Sequence, residues 1–536
     1  MMQTDIKLLD CTLRDGGYVN DWNFGHSVIS GTYKRLDSAG VDFIEVGFLD
    51  DRRPFDINRT IFPNTESLNK VYEGVDVGHA VPVAMIDYGT CDISNIDDVE
   101  NSFVKGIRVI FKKERIEEAL PYCKKIKEKG YLLSIQAISI TAYSDEDMLA
   151  YVKQINEIKP FAFSIVDTYG LLDNEKVEHY FHLIDDNLDP AIAMGYHSHN
   201  NFQLAFSNTI TFLKLYTGKR TLVADATVYG MGKSAGNCAT ELIAMHMNNQ
   251  YQKNYDLDLI LEIIDTDIMT IFQKQYWGYK YIFYISAMQN CHPNYVQYLL
   301  EKKTLSVEAI NVILNHIPEE KKLLFDKNYI KNAYTNYQKH IIDDTKTYEK
   351  LHCLLDKPLL LVGPGNSINE NAASIQTFLD EYKPTVISIN FLYQELNPEY
   401  VFVSNAKRYS RLDDEYGSKC VVKLIATSNI VELDYKIDYY LNYESLIISD
   451  TSANDNALVL LLNALVKLGL KEVHLAGFDG FSKDSTTNYY SSGHNYVLEN
   501  ESDKNAAISA QLRRISKQMN LRFITPTLYD YEVRYE

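Results

Sequence analysis

The chain has 536 residues, more than one ordinary domain requires, with 46% hydrophobic and 23% charged residues, which excludes disorder as its global state. Fifty-three Lys and Arg against 72 Asp and Glu leave a net charge of −19, which argues against a nucleic-acid or anionic-membrane surface as the main function. Seven scattered cysteines, odd in number and with no Cys-x-x-Cys pair, fit a reducing compartment and no thiolate zinc site. The start lacks an apolar leader and no run of about 18 apolar residues occurs, so a cytoplasmic protein without a membrane span is expected.

Eight short apolar runs follow in order: Leu8–Leu13, Phe43–Phe48, Val81–Asp87, Ile107–Lys112, Leu132–Ile138, Ala162–Thr168, Ile192–His197 and Leu222–Thr227. Helix-like stretches such as Ser27–Ser38, Ile116–Lys129 and Asp145–Ile158 lie between them. Strand and helix alternating at this period predict βαβ units, and eight of them predict a closed (β/α)₈ TIM barrel over residues 1–245. Amphipathic helical segments then follow one another, giving a helical extension over 246–342 and a charged linker over 343–357. From Pro358 onward, strands at Leu359–Val362, Val386–Ile389, Tyr400–Val403, Val421–Ala426, Glu472–Ala476 and Arg522–Thr525 alternate with helices at Asn456–Leu468 and Asp503–Met519. That pattern predicts an open, Rossmann-like α/β domain over 358–536.

In a parallel barrel the chemistry sits at the C-terminal strand ends. Strand one ends in Thr12-Leu13-Arg14-Asp15-Gly16-Gly17, strand seven in His197-Ser198-His199-Asn200-Asn201, and the loop after strand eight holds Gly232-Lys233-Ser234-Ala235-Gly236-Asn237. Histidines at i and i+2 of an extended segment point the same way, so both imidazoles can reach one ion. A carboxylate from strand one and an amide oxygen from the last loop would complete a mixed N/O site. Such a set suits a divalent metal: Mn²⁺ first, with Mg²⁺, Co²⁺ and Zn²⁺ as alternatives.

These segments, with Ile44-Glu45-Val46-Gly47, Asp167-Thr168-Tyr169-Gly170 and Ala235-Gly236-Asn237-x-x-Thr240-Glu241, resemble the DRE-TIM metallolyases over roughly Ile6 to Glu241. Members of that family include 4-hydroxy-2-oxovalerate aldolase, 3-hydroxy-3-methylglutaryl-CoA lyase and isopropylmalate synthase. The resemblance implies Asp15, His197, His199 and Asn237 as metal ligands and Arg14 as the holder of an enolate oxygen. Aldol cleavage of a 4-hydroxy-2-oxo acid leaves the enolate of pyruvate, which a Lewis acid and a guanidinium both stabilise. Two departures bear on mechanism. Tyr18 stands where the aldolases carry a catalytic histidine, and Val228 where the CoA lyases carry a catalytic cysteine. The base is therefore Tyr18, nearby His26 or a metal-bound water. Tyr284, in Gly278-Tyr279-Lys280-Tyr281-Ile282-Phe283-Tyr284-Ile285-Ser286-Ala287, loosely matches an aldolase tyrosine that approaches the reacting carbon.

In the C-terminal part, Gly363-Pro364-Gly365-Asn366-Ser367 follows a buried run and precedes a helix, a turn whose amides can cradle phosphate. It is neither a Walker loop nor a complete dinucleotide fingerprint. With Asn397-Pro398-Glu399 through Asn405 and Lys471 through Asp479, it resembles bacterial lipo-oligosaccharide sialyltransferases and related pyrophosphokinase-like proteins. That resemblance implies a CMP-sugar or other nucleotide-sugar ligand near Gly363, Gly365, Asn366, Ser367 and Asp479, with His494 of Gly493-His494 as a candidate base.

The expectation is a bifunctional, oligomeric enzyme: a metal-dependent aldolase on a 2-oxo acid fused to a glycosyltransferase-like domain. By analogy alone, this combination points to carbohydrate biosynthesis. The alternatives are an acyl-CoA carboligase of the isopropylmalate-synthase kind, or a barrel that only scaffolds a transferase.

Overall fold

The computed structural model describes residues 5–302, 304–447, 453, 455–482, 488–490 and 501–530. The chain divides into two compact units, Met1–Pro293 and Asn294–Glu536.

The first unit is a (β/α)₈ barrel. Its strands are β1 (Ile6–Asp10), β2 (Phe43–Leu49), β3 (Ile61–Phe62), β4 (Val81–Asp87), β5 (Gly106–Ile110), β6 (Leu132–Ala137), β7 (Ala162–Asp167), β8 (Ala193–Ser198) and β9 (Leu222–Ala226). The order β1-β9-β8-β7-β6-β5-β4-β2 closes through a β1–β2 pairing, with every ladder parallel and the two-residue β3 appended to β2. Each apolar run expected from the sequence falls on one of the eight barrel strands. Both faces of such strands are covered, so the runs read as nearly continuous hydrophobic stretches.

Period-two alternation divides each strand between two cores. Outward residues such as Leu8, Ile44, Ala84, Ile107 and Ile135 join the helices in the large core. Inward residues Leu9, Phe43, Val83 and Val223 close the barrel floor, and Cys11, just past the end of β1, continues that apolar cluster up to His197. Two residues beyond Phe43 and Val223, on the same inward face, come Glu45 and Asp225, both buried. The interior thus turns from apolar to ionic on approaching the C-terminal strand ends.

The second unit has a seven-stranded, wholly parallel sheet in the order β14-β13-β12-β11-β10-β15-β16, a Rossmann-like α/β arrangement. These strands are β10 (Leu359–Val362), β11 (Thr385–Ile389), β12 (Tyr400–Val403), β13 (Lys423–Thr427), β14 (Tyr439–Leu441), β15 (Glu472–Ala476) and β16 (Asn520–Phe523). The three-residue β14 is not foreseen by the sequence reading, and Val421, expected to begin a strand, is 94% exposed and precedes β13. The apolar helix Ala457–Leu468 is buried along most of its length in this unit's core.

The single helical extension expected over 246–342 is instead divided between the units. Helices up to Tyr281–Met288 lie in the first, whereas Tyr334 donates to Asp455 at 3.1 Å and Asn429 donates to Gln338 at 2.8 Å within the second. The expected linker over 343–357 is also structured. Thr345–Leu351 is helical, and Leu351 and Leu354 are buried in the second unit's core, because the apolar side chains of this charged stretch all face one way. Among the described residues no helix is long and apolar enough to cross a membrane.

Candidate metal centre

The segment after β1 does not continue as a strand. Thr12–Gly16 forms a single π-helical turn, with the Asp15 amide donating to the Cys11 carbonyl at 2.8 Å. Single π turns of this kind recur at functional sites. Trp22 donates from Nε1 to the Arg14 carbonyl at 2.8 Å and clamps the turn. Gly17 is required there, because a Cβ would collide with the Trp22 indole. Across the barrel mouth, His199 pairs with Asn237 in an isolated bridge, and the Asn200 amide donates to the Gly236 carbonyl at 2.8 Å. This pairing docks the loop after β9 onto the end of β8.

Asp15, His197 and His199 each direct one ligand atom to a common point, all within 4.8 Å of one another. Asp15 Oδ2 lies 3.4 Å from His197 Nε2, and Asp15 Oδ1 lies 3.8 Å from His199 Nε2. The far side of each ring is occupied. His199 Nδ1 donates to the Asp167 carbonyl at 3.0 Å, and His197 Nδ1 to Asp225 Oδ2 at 3.0 Å. Both partners accept at Nδ1, which leaves both Nε2 atoms turned toward Asp15, the arrangement typical of metal-ligating histidines. His199 Nε2 and Asn237 Oδ1 are buried without a hydrogen-bond partner among the described residues. Two orphaned acceptors beside a carboxylate fit a divalent cation. Gly232 keeps the space open, since a Cβ there would collide with Asn237 Nδ2 and stand 2.8 Å from Asp15 Oδ1.

Electrostatics agree with that fit. Burial pushes the His199 imidazole down to about 3, so it is neutral. Burial opposes ionisation of Asp15, but the Arg14 guanidinium and the His197 hydrogen bond outweigh it and hold the carboxyl well below the usual range. A second cluster, Cys11, His197 and Asp225, is not a thiolate site: burial raises the Cys11 thiol well above its ordinary value, and it donates to the Ala226 carbonyl at 3.3 Å.

Beneath the ligands lies an ionic layer. Arg14 Nε donates to Glu45 Oε2 at 2.6 Å, and its Nη1 to Asp15. Arg108 bridges Glu45 at 3.0 Å, Gln136 at 3.0 Å and Asp225. Two guanidiniums face three carboxylates, and His197, which Asp15 and Asp225 raise against the effect of burial, adjoins two of those carboxylates. The sequence reading assigned no role to Arg108, Asp225 or Gln136. The signal available was a charged or amide residue at an inward position of an otherwise apolar strand.

The other candidates are placed differently. Tyr18 stands at the mouth, 43% exposed as a residue, with its ring packed edge-on against Trp22 at 4.8 Å. Burial and the Asp15 charge push its hydroxyl up to about 12, so it is a proton donor at neutral pH, not a phenolate base. His26, by contrast, bonds through Nε2 to the Val71 carbonyl at 2.9 Å, because it opens the helix His26–Ser38 and its ring turns toward the neighbouring helix Thr65–Val71. The structure does not bring it to the ligands. Tyr284, 43% exposed on the helix Tyr281–Met288, rests against Phe202 at 5.9 Å, just past the His-Ser-His segment.

In the second unit, the glycine-rich loop does not offer its amides to a phosphate. Gly363 donates to Ala476 and Gly365 to Gly477, both at 2.8 Å, while Ser367 donates from its amide at 2.8 Å and from its hydroxyl to the Asp479 carboxylate. Asp479, 112 residues away, already occupies that helix start, and Gly365 has no room for a Cβ against it. Asn366 donates from its side chain to Glu370 at 2.8 Å. The loop instead walls a cavity of about 450 Å³ at the C-terminal strand ends, lined by Lys302, Lys407, Arg408, Arg411 and Lys504 as well as Asp455 and Asp479. His494 lies outside the described residues.

Residues 5–266 match the HMGL-like family model. The chain is similar to oxaloacetate decarboxylase of Mycobacterium tuberculosis, 23% identical over 49% of this chain and 76% of the relative. It is also similar to 4-hydroxy-2-oxovalerate aldolase of Pelotomaculum thermopropionicum, 24% identical over 48% of this chain and 75% of the relative. Homocitrate synthase AksA of Methanocaldococcus jannaschii is 28% identical over 48% of this chain, which spans 63% of that protein's length. Among solved structures, the carboxyl transferase domain of Rhizobium etli pyruvate carboxylase aligns with a TM-score of 0.45 at 14% identity, over 58% of this chain and 56% of that one. Enzymes of the DRE-TIM family are lyases or synthases that use a divalent metal.

Proposed function

We propose that the HMGL-like domain of residues 5–266 is a divalent-metal aldolase acting on a 4-hydroxy-2-oxo acid through the enolate of pyruvate. The observation that carries this reading is the convergence of Asp15, His197 and His199 ligand atoms within 4.8 Å of one another, with His199 Nε2 and Asn237 Oδ1 buried and unsatisfied among the described residues. A divalent ion satisfies those acceptors and adds positive charge beside Arg14, which favours an anionic oxo acid.

Asp15, His197, His199 and Asn237 would hold the ion, which supplies Lewis acidity to the 2-oxo acid. Arg14 spends Nε on Glu45 and Nη1 on Asp15, while its Nη2 makes no hydrogen bond among the described residues. That nitrogen is positioned to donate to an oxygen on which enolate charge develops. Glu45 and Arg108 fix the guanidinium so that it need not reorganise during the reaction. Tyr18, held protonated, is the donor to C3 of the enolate, while the proton that leaves the 4-hydroxyl passes to solvent water at the mouth, from which Tyr18 is reprotonated. The test is pyruvate release from 4-hydroxy-2-oxovalerate by Mn²⁺-loaded protein, abolished by EDTA. No metal-dependent release would overturn the reading. The similarity to a homocitrate synthase supports a second reading, a carboligase, for which free thiol released from acetyl-CoA is the corresponding signal.

For the second unit we propose an anionic ligand of the nucleotide or nucleotide-sugar class, held by the five cations of the cavity and not by the glycine loop. Calorimetry with CMP, CDP and UDP tests this, and silence with all three would refute it.

A further inference from the structure

Among the described residues Lys233 is a cation beside the metal ligands that forms no ion pair. Its backbone N–H donates to Asp15 Oδ1 at 3.0 Å, which fixes its Cα beside the metal site. Its side chain leaves that anchor over the barrel mouth, with Nζ 5.5 Å from the centroid of the Tyr18 ring. Arg14 and Arg108 are each held by carboxylates, whereas among the described residues no carboxylate lies within the 4.0 Å ion-pair distance of Lys233 Nζ. No hydrogen bond from that Nζ is formed among them either. Lys233 is half-buried. An ammonium partly removed from water without a counter-ion is unfavourable, and the aromatic face beneath it compensates only in part. Asp15, the nearest acid, is already committed to Arg14 and to the Lys233 backbone.

We infer that Lys233 receives a second anionic group on the substrate, at the end away from the 2-oxo acid. The inference rests on the aldolase reading and narrows it: the carbonyl fragment released or accepted carries a carboxylate or a phosphate. Lys233 sits outside the ionic layer and on the same side as Tyr18, so it faces the outer fragment and not the enolate. The Tyr18 ring limits where the flexible lysine stem can place its charge. A point charge on such a stem accepts either anion, so the lysine alone does not choose between carboxylate and phosphate.

The test compares three substrates with the full-length Mn²⁺ protein: 4-hydroxy-2-oxovalerate, which has no distal charge, 4-hydroxy-2-oxoglutarate, which has a distal carboxylate, and 2-oxo-3-deoxy-6-phosphogluconate, which has a distal phosphate. Lys233→Gln is expected to raise KM for whichever charged substrate is used by about tenfold, the size of one lost charge-assisted hydrogen bond, with kcat held and the uncharged substrate unaffected. Lys233→Arg should retain most of the preference. An equal rise for all three would place Lys233 on the common carboxylate and overturn the inference, as would no change. If none of the three is cleaved, the aldolase reading fails by itself. The inference is then read from calorimetry, as tighter binding of 2-oxoglutarate than 2-oxobutyrate that disappears in Lys233→Gln. Equal binding of the two by the unaltered protein would overturn it.

Discussion

Asp225 touches no expected metal ligand atom, yet its removal should weaken metal binding. In Asp225→Asn the side chain keeps its size but loses the charge that accepts from His197 Nδ1 at 3.0 Å and from Arg108. A hydrogen bond to a charged acceptor contributes about 1.5–3 kcal/mol and a neutral one about 0.5–1.5, so the loss at His197 is about 1–1.5 kcal/mol. That is about a tenfold weaker metal, and partners behind ligating histidines commonly account for ten- to a hundredfold. The amide can also present its N–H₂ to His197 Nδ1 and so place the proton on Nε2, which would deepen the effect. The assay is a titration of apo-protein with Mn²⁺, following the free-ion EPR signal, with circular dichroism to confirm an intact fold. An unchanged dissociation constant in a folded Asp225→Asn protein would refute the reasoning. So would an equal loss in Asn463→Asp, a control in the second unit.

Three further outcomes follow from named contacts. One metal per chain by elemental analysis is expected, and it should be lost in His197→Ala and in His199→Ala; a metal-free wild-type protein under Mn²⁺ loading would favour a scaffold role. Gly232→Ala should lose metal while keeping the barrel's circular dichroism, since the added Cβ collides with Asn237 and crowds Asp15; full metal content would show that the loop yields. Asp10 is pushed up to about 6, chiefly by burial, from an ordinary value of 3.8. Its folded-state value is raised, so its contribution to stability is present below about pH 4 and lost as pH rises through 6. Asp10→Asn should therefore gain up to about 3 kcal/mol relative to wild type between pH 4 and pH 7.5, read from denaturant unfolding at the two pH values. A difference independent of pH would refute it.

The barrel was legible because its strands are covered on both faces, so eight apolar runs stand out from eight amphipathic helices. His197 and His199 were legible because i and i+2 share a side of a strand. Asp225, Arg108 and Gln136 were not, although each obeys the same period, since a single polar residue in an apolar strand does not reveal which partner it meets 28 or 117 residues away. His26 misled for the same reason: nearness in sequence to Asp15 does not tell which way a helix start turns. In the second unit the glycine loop matched a phosphate-binding pattern locally, and only the return of Asp479 to Ser367 shows its amides to be occupied.

The ionic layer also explains why Arg14 and Lys233, two cations beside one metal site, serve different ends. Arg14 lies within a network that over-determines its position: Glu45 and Asp15 hold two of its nitrogens, and Arg108 holds Glu45 in turn. A donor so fixed stabilises charge that appears only as the reaction proceeds, at no cost of reorientation. Lys233 has one anchor, through its backbone, and a mobile stem, which suits a group already charged in the bound substrate. Interactions that strengthen in the transition state raise kcat, whereas those equal in ground and transition states lower KM alone. Arg14→Gln should therefore act on kcat and Lys233→Gln on KM. A kcat effect at Lys233 with KM unchanged would show that the lysine, too, meets charge that develops during the reaction.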